Sequence, residues 1–139
     1  MKYAWHKWLG MKKHSKAWHL EDLADELQEY REARGPILRW SELSDVVFAY
    51  IRGRLHGYKL VFPLSRWKYL YGHIYMYPKY TLRFLFFRRA GRKLGARIHE
   101  VRNPRKPHKL RAIAEQYKID PDQFIAICER QLRYWPLLP

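Results

Sequence analysis

The sequence predicts an all-α fold of about six helices, and three observations support this expectation. Apolar residues recur at i, i+3, i+4 and i+7 along most of the 139-residue chain. Residues that favour helix starts, and glycines that favour helix ends, separate these stretches. Runs that suit a strand are confined to short pieces of 58–102, so minor short strands are possible there. We expect a basic aromatic N-terminal arm over 1–19 and a single helical domain over 20–139.

The first half of the chain contains one clear amphipathic helix, over 20–34. Leu20, Leu23 and Leu27 fall on one face. Four acids crowd its first turns, where the helix dipole favours negative charge, and Gly35 followed by Pro36 ends it. The preceding 1–19 mixes Trp, Lys and His without a period. This segment is either an arm that becomes ordered on a partner or a packed N-terminal turn.

Three further helices are expected before residue 95. Ser41 is a suitable N-cap for a helix that ends at Gly57, and Ser65 is a suitable N-cap for the next. Pro78 suits the first turn of a separate helix that ends near Gly95. The intervening 58–62 is a strand or an extended link, and 96–109 is an exposed basic loop.

The C-terminal segment over 110–134 has the sharpest helical pattern. Ile113, Ala114 and Tyr117 precede a short turn containing Ile119, and Asp120 caps the following helix. Residues Phe124, Ile127 and Leu132 face inward on that helix. The predicted unit is a helical hairpin.

This hairpin resembles a helix-turn-helix, with Ile113, Ala114 and Tyr117 at the apolar positions of its first helix and Phe124 and Ile127 in its second. The resemblance implies a DNA-binding regulator whose second helix reads bases. The chain departs from the family in two ways. Lys118 stands where a glycine is usual, and the reading helix begins with Asp120-Pro121-Asp122. A hairpin used for packing or protein contact is the alternative.

Charge is distributed in blocks along the chain. The stretch between Asp45 and Glu115 holds seventeen Lys and Arg residues and a single acid, Glu100, together with thirteen of the twenty-three aromatic residues. Fixed positive charge without acids repels itself unless a polyanion neutralises it. Basic residues interleaved with aromatic rings are typical of nucleic-acid binding. We therefore expect a nucleic-acid partner, with RNA favoured over DNA.

The candidate contacts concentrate on a helix end and the loop that follows it. The predicted phosphate-binding residues are Arg83, Arg88, Arg89, Arg92, Lys93, Arg97, Arg102, Arg105, Lys106, Lys109 and Arg111. Arginine favours bidentate phosphate contacts. The possible stacking residues are Tyr75, Tyr77 and Tyr80, although aromatics at helical spacing are more often part of a core. We expect Glu100 to pair with a neighbouring Arg rather than act as a general base.

The remaining expectations concern chemistry and setting. No catalytic or metal-ligand motif is present, so we expect no enzyme activity, cofactor or metal. Acidic helix 20–34 and the C-terminal hairpin are candidate surfaces for protein subunits of a larger complex. The single cysteine excludes an intrachain disulfide, so the cytoplasm or another reducing compartment is expected. No transmembrane segment is expected. The alternatives to nucleic acid are an acidic protein partner and an anionic membrane surface.

Overall fold

The computed structural model describes residues 1–139 and is all-α, with six helices and no strand. The helices are α1 Lys2–Leu9, α2 Lys16–Glu32, α3 Pro36–Leu55, α4 Arg66–Arg92, α5 Pro107–Gln116 and α6 Pro121–Tyr134. The chain forms two compact units, Met1–Pro78 and Lys79–Pro139, which we call unit 1 and unit 2. The all-α class and the helix number are therefore confirmed. The strands considered possible within 58–102 are absent.

The number of helices agrees with the prediction although two of the helices differ. Residues 2–9 of the predicted arm form α1, which contacts α3 and buries His6 and Leu9. The two helices predicted to meet at Pro78 are one helix, because α4 continues through that proline. Proline removes one helical hydrogen bond without preventing the helix when the surrounding turns are held by packing.

Two predicted helix starts are also shifted. Ser15 caps α2 by accepting a hydrogen bond from Trp18 N at 3.1 Å, so α2 crosses the predicted boundary at residue 19. The Ser41 cap is wrong, since α3 starts at Pro36 behind Gly35, whose φ is +84°. Proline suits the first helical turn and glycine tolerates positive φ. The Ser65 cap is present, with Lys68 N donating to Ser65 Oγ at 3.4 Å.

Unit 1 is built on the packing of α2 against α3. Its core includes Leu23 and Tyr30 of α2, Leu43 and Val46 of α3, and Leu60 of the following link. The first part of α4 approaches α3 closely at Gly72. A Cβ at that position would lie 2.6 Å from Val47 Cγ2, so only glycine fits without rearrangement.

Unit 2 packs the second part of α4 with the α5–α6 hairpin and the link 93–106. Its core residues are Phe86, Phe87, Ala90, Ile98, Leu110, Ile113, Ala114, Phe124, Ile127, Cys128 and Leu138. Buried Gln131 of α6 donates from Nε2 to Phe86 O at 2.8 Å. This core holds the C-terminal end of α4 and the link in a fixed geometry, which positions the basic residues described next.

Candidate nucleic-acid interface

The end of α4 is the best-defined basic element of unit 2. Arg88, Arg89 and Arg92 occupy its last turns and Lys93 follows directly. Residues three and four apart lie on the same side of a helix, so Arg89, Arg92 and Lys93 share one exposed face. Arg88 is half-buried, with its guanidinium carbon 5.6 Å from the Phe84 ring centroid. Cations suit a helix C-terminus, where the dipole is negative.

A tight turn returns the chain to this helix end. Gly91 O accepts hydrogen bonds from Leu94 N and Ala96 N, both at 2.9 Å, and Gly95 adopts φ +67°. A Cβ on Gly91 would lie 2.6 Å from Ala96 O, so glycine allows the close return. Exposed Arg97 follows Ala96 directly and so lies beside the last turn of α4. We call Arg88, Arg89, Arg92, Lys93 and Arg97 the cationic corner.

No member of the cationic corner forms an ion pair or a side-chain hydrogen bond. Like charges three and four residues apart repel one another, and none of these residues forms an ion pair with an acid. The corner therefore combines a backbone held by the unit 2 core with four guanidinium groups and one ammonium group that form no ion pair. This arrangement suits a multivalent anion, since each guanidinium can donate two hydrogen bonds to one phosphate.

Arg83 is not part of this surface, which corrects its sequence-based assignment. It is 7% exposed, and its Nε donates to Pro139 O at 2.7 Å while Nη1 donates to Val101 O at 3.5 Å. The guanidinium also lies over the Tyr80 ring at 5.6 Å. Arg83 therefore joins α4, the link and the chain's last residue inside unit 2, and cannot reach a phosphate backbone.

Three other predicted phosphate contacts already have partners. Arg105 Nη2 donates to Pro136 O and Leu138 O, both at 3.1 Å. Arg102 pairs with Glu100, with an Nε–Oε2 distance of 3.6 Å. Arg111 pairs with Asp122 at 3.2 Å through side chains that are 52% and 88% exposed, and such pairs contribute little. Arg105 and Arg102 therefore brace the link, whereas Arg111 is held only by an exposed ion pair.

The remaining two candidates lie apart from the corner in sequence. Lys106 is the N-cap residue of α5 and Lys109 lies in its first turn, and both are half-buried. No hydrogen bond or ion pair joins either lysine to the cationic corner. The structure therefore brings together five of the eleven predicted phosphate contacts and leaves Lys106 and Lys109 as a separate pair.

Glu100 has a structural role, as expected from the sequence. It is 4% exposed, and its Oε1 accepts from Val101 N at 2.8 Å and Arg102 N at 3.1 Å. Tyr117 Oη exchanges hydrogen bonds with His99 N and His99 O at 3.0 Å each. Burial raises the pKa of the Tyr117 hydroxyl, so it stays protonated as a donor. These contacts fix the link against α5.

Of the three predicted stacking residues, Tyr80 is buried, and Tyr75 and Tyr77 are half-buried. Tyr80 is 5% exposed, so a base cannot reach it. Tyr75 stacks on Trp40 with centroids 5.1 Å apart, and Tyr77 makes an edge contact with Trp5 at 4.8 Å. The assignment of Tyr80 is therefore wrong, whereas stacking by Tyr75 and Tyr77 stays a prediction.

Sequence reasoning missed the exposed apolar stripe in the first part of α4. Trp67 is 80% exposed and Ile74 is 64% exposed, and Leu70 and Tyr71 lie between them on the same face. Tyr71 stacks on Trp40 with centroids 4.9 Å apart. Regular helical spacing gives no signal that distinguishes a core stripe from an exposed one, because both have the same period.

The hairpin of unit 2 has the turn that the sequence indicated. Asp120 Oδ1 accepts from Gln123 N at 2.7 Å as the cap of α6. Lys118 adopts φ +55°, the left-handed conformation for which glycine is usual at such a turn. Asp122 and Gln123 are exposed at the start of α6. Negative charge at this end opposes its insertion into a DNA groove.

Three acidic side chains of unit 1 lie close to one another. Glu26, Glu29 and Glu42 of unit 1 each place a carboxylate oxygen within 4.8 Å of the others. Carboxylate oxygens suit calcium or magnesium. Exposed acidic groups often approach one another without an ion, so this cluster assigns no metal.

Comparisons of the chain with protein-family models, curated proteins and solved structures find no match. None of the six helices combines the length and the apolar character needed to cross a membrane.

Proposed function

We propose that this protein binds nucleic acid without catalysis, through the cationic corner, with RNA favoured over DNA. The observation that carries the proposal is the corner itself: its five basic residues lie at or beside the end of α4 and form no ion pair with an acid. Phosphates would neutralise these groups and release counterions, which is the main source of affinity for a nucleic-acid backbone.

The proposed setting is a subunit or accessory factor of a larger nucleoprotein assembly in the cytoplasm or another reducing compartment. The acidic face of α2 supports a separate protein contact. Glu21, Asp25, Glu29 and Glu32 are exposed at helical spacing while Leu23 and Tyr30 are buried in the core. A surface of this sign repels phosphate, so it suits a basic protein neighbour rather than the nucleic acid.

Two observations favour backbone binding over base reading. The cations of the corner lie on α4 and the link rather than on α6, and α6 begins with exposed acids. The Lys118 turn keeps a helix-turn-helix DNA regulator as the second candidate, since it reproduces the left-handed turn residue. In that case Gln123 and Arg130 of α6 would contact bases.

Charge reversal distinguishes the two candidates. The test variant is Arg89→Glu/Arg92→Glu/Arg97→Glu, and the matched control is Arg31→Glu/Arg34→Glu/Arg54→Glu, which changes the net charge equally at exposed positions of unit 1. Fluorescence anisotropy with a labelled single-stranded RNA of about 20 nucleotides measures affinity. We expect the corner variant to lose at least about 100-fold and the control to lose less than about tenfold.

A third variant addresses α6. Gln123→Ala/Arg130→Ala should leave RNA affinity unchanged if the corner is the interface. A change in duplex-DNA sequence preference in this variant, together with intact RNA affinity in the corner variant, would favour the regulator instead. Equal losses in the corner variant and the unit 1 control would show that net charge alone, not this site, determines binding.

A further inference from the structure

Unit 1 contains a cavity that the proposed RNA interface does not use. Its volume is about 390 Å³, within the usual range for small-molecule sites. Residues of α1, the turn that follows it and the last turns of α3 form the walls. Because α1 packs against α3 within unit 1, the cavity belongs to one compact body.

The cavity is lined by basic residues and histidines but by no acid. His6, Lys7, Arg52 and His56 line the cavity, and no lining residue is acidic. The rest of the wall is largely apolar, with Ala4, Met11 and Leu55 among its members. Such a surface offers hydrogen-bond donors and positive charge to one end of a ligand and an apolar contact to the other.

His6 has a buried polar atom without a partner beside this cavity. It is 2% exposed, and its Nε2 is buried without a hydrogen-bond partner, which is rare in protein interiors. The ring is held on both sides, stacked on Phe48 at 4.9 Å and edge-on to Trp5 at 4.9 Å. Burial, and then the charge of Arg52, lower the pKa of His6 to about 4, so it is neutral near pH 7.

Arg52 and His56 are held in place by a second layer of contacts. Arg52 is 9% exposed, donates from Nη2 to Lys12 O at 3.0 Å, and lies 4.7 Å from the Trp18 ring centroid. His56 Nδ1 is 2.9 Å from Nε2 of fully buried His19, so these two rings share a hydrogen bond. A site that is already ordered loses little entropy when it binds a ligand.

We propose that this cavity binds a small organic anion, with its carboxylate or phosphate group at Lys7 and Arg52. The apolar body of the ligand lies against Ala4, Met11 and Leu55. The guanidinium of Arg52 matches the planar geometry of a carboxylate and also accepts a phosphate. The cavity is separate from the proposed RNA interface, because every residue that lines it belongs to unit 1.

The test uses the ¹⁵N-labelled full chain and three probes: benzoate, phenyl phosphate and uncharged benzamide. We expect at least one anion to shift the amide resonances of Ala4, Lys7 and Gly10 saturably, with benzamide at least about tenfold weaker. The anion that binds more tightly shows whether the cavity prefers a carboxylate or a phosphate group. Added inorganic phosphate should compete poorly, because it lacks the apolar body.

A matched pair of variants locates the binding. Ala4→Phe places a ring in the cavity from an exposed position of α1, and Ala17→Phe makes the same change at an exposed position of α2 that does not line it. We expect Ala4→Phe to abolish anion binding and Ala17→Phe to preserve it. The RNA-interface variant should also bind the anion normally.

Two results would overturn the proposal. One is the absence of saturable shifts at Ala4, Lys7 and Gly10 with either anion at concentrations of about 10 mM. The other is equal affinity for the anion in wild type and in a folded Ala4→Phe variant.

Discussion

In the first half of α4, Trp67, Tyr71 and Ile74 are exposed, whereas in the second half Phe86 and Phe87 are fully buried. Both halves place large apolar residues at helical spacing. The first half approaches α3 at Gly72 and contacts α1 through Tyr77, whose ring lies against Trp5, and neither contact covers the exposed stripe. The second half is covered by the link, α5 and α6, and exposes arginines instead. The elements that pack on a helix therefore determine which of its side chains are exposed. The spacing of apolar residues along the helix does not.

The largest expected effect comes from truncating one aromatic residue in each half. Phe87→Ala removes a fully buried ring from the unit 2 core and should cost about 3–5 kcal/mol. Trp67→Ala removes a ring that is 80% exposed and should change stability by less than about 0.5 kcal/mol. Urea denaturation followed by circular dichroism measures both. Similar losses in the two variants would show that the exposed stripe is part of a core.

A pH titration extends the comparison to the histidines of unit 1. Burial, and then Arg52, lower the pKa of His6 from 6.5 to about 4, so the unfolded chain takes up a proton that the folded chain does not. Stability is therefore complete above pH 6.5 and falls as the pH drops toward 4. We expect His6 to contribute a loss of about 2 kcal/mol between pH 7 and pH 5.

The variant His6→Phe tests this assignment, since it keeps a ring on Phe48 and removes the titrating group. Its stability should fall less steeply with pH than that of wild type, as measured by urea denaturation at each pH. His19, whose pKa is also lowered to about 4 by burial and Arg52, maintains part of the slope. Parallel curves for wild type and His6→Phe would contradict the assignment.

A smaller effect on stability and RNA affinity is expected from substituting two arginines in the second half of α4. Arg83→Met removes hydrogen bonds to Pro139 O and Val101 O and should cost about 1–3 kcal/mol while RNA affinity stays nearly unchanged. Arg89→Met alters an exposed side chain without partners, so it should weaken RNA binding and leave stability within about 0.5 kcal/mol. Thermal denaturation and anisotropy on both proteins give the four values. The reverse pattern would place the interface elsewhere.

Most of the fold was predictable because its signals are local. The caps at Ser65 and Asp120, the glycine at 95 and the hairpin over 110–134 depend on residues a few positions apart. Pro78 misled the prediction because a proline that starts a helix and one that a long helix accommodates look alike in sequence. The helix at 2–9 lacked a clean period, and its packing against α3 is a tertiary effect.

The sequence predicted which residue types form the candidate site. It was less successful in predicting which individual residues belong to it. The sequence correctly located a dense run of arginines at a helix end, but it could not separate exposed Arg89 from buried Arg83, six residues earlier. That difference depends on where the last residue of the chain and Val101 lie, which is not encoded locally. Tyr80 was misassigned for the same reason.

The salt dependence of RNA binding tests the central claim most directly. Each phosphate neutralised on a single strand contributes about −0.7 to the slope of log K against log salt concentration. We expect a slope near −3 for wild type, reduced in magnitude by about 2 in Arg89→Glu/Arg92→Glu/Arg97→Glu and nearly unchanged in the Arg31/Arg34/Arg54 control. A corner variant that keeps the wild-type slope would contradict the claim that this corner grips the phosphate backbone.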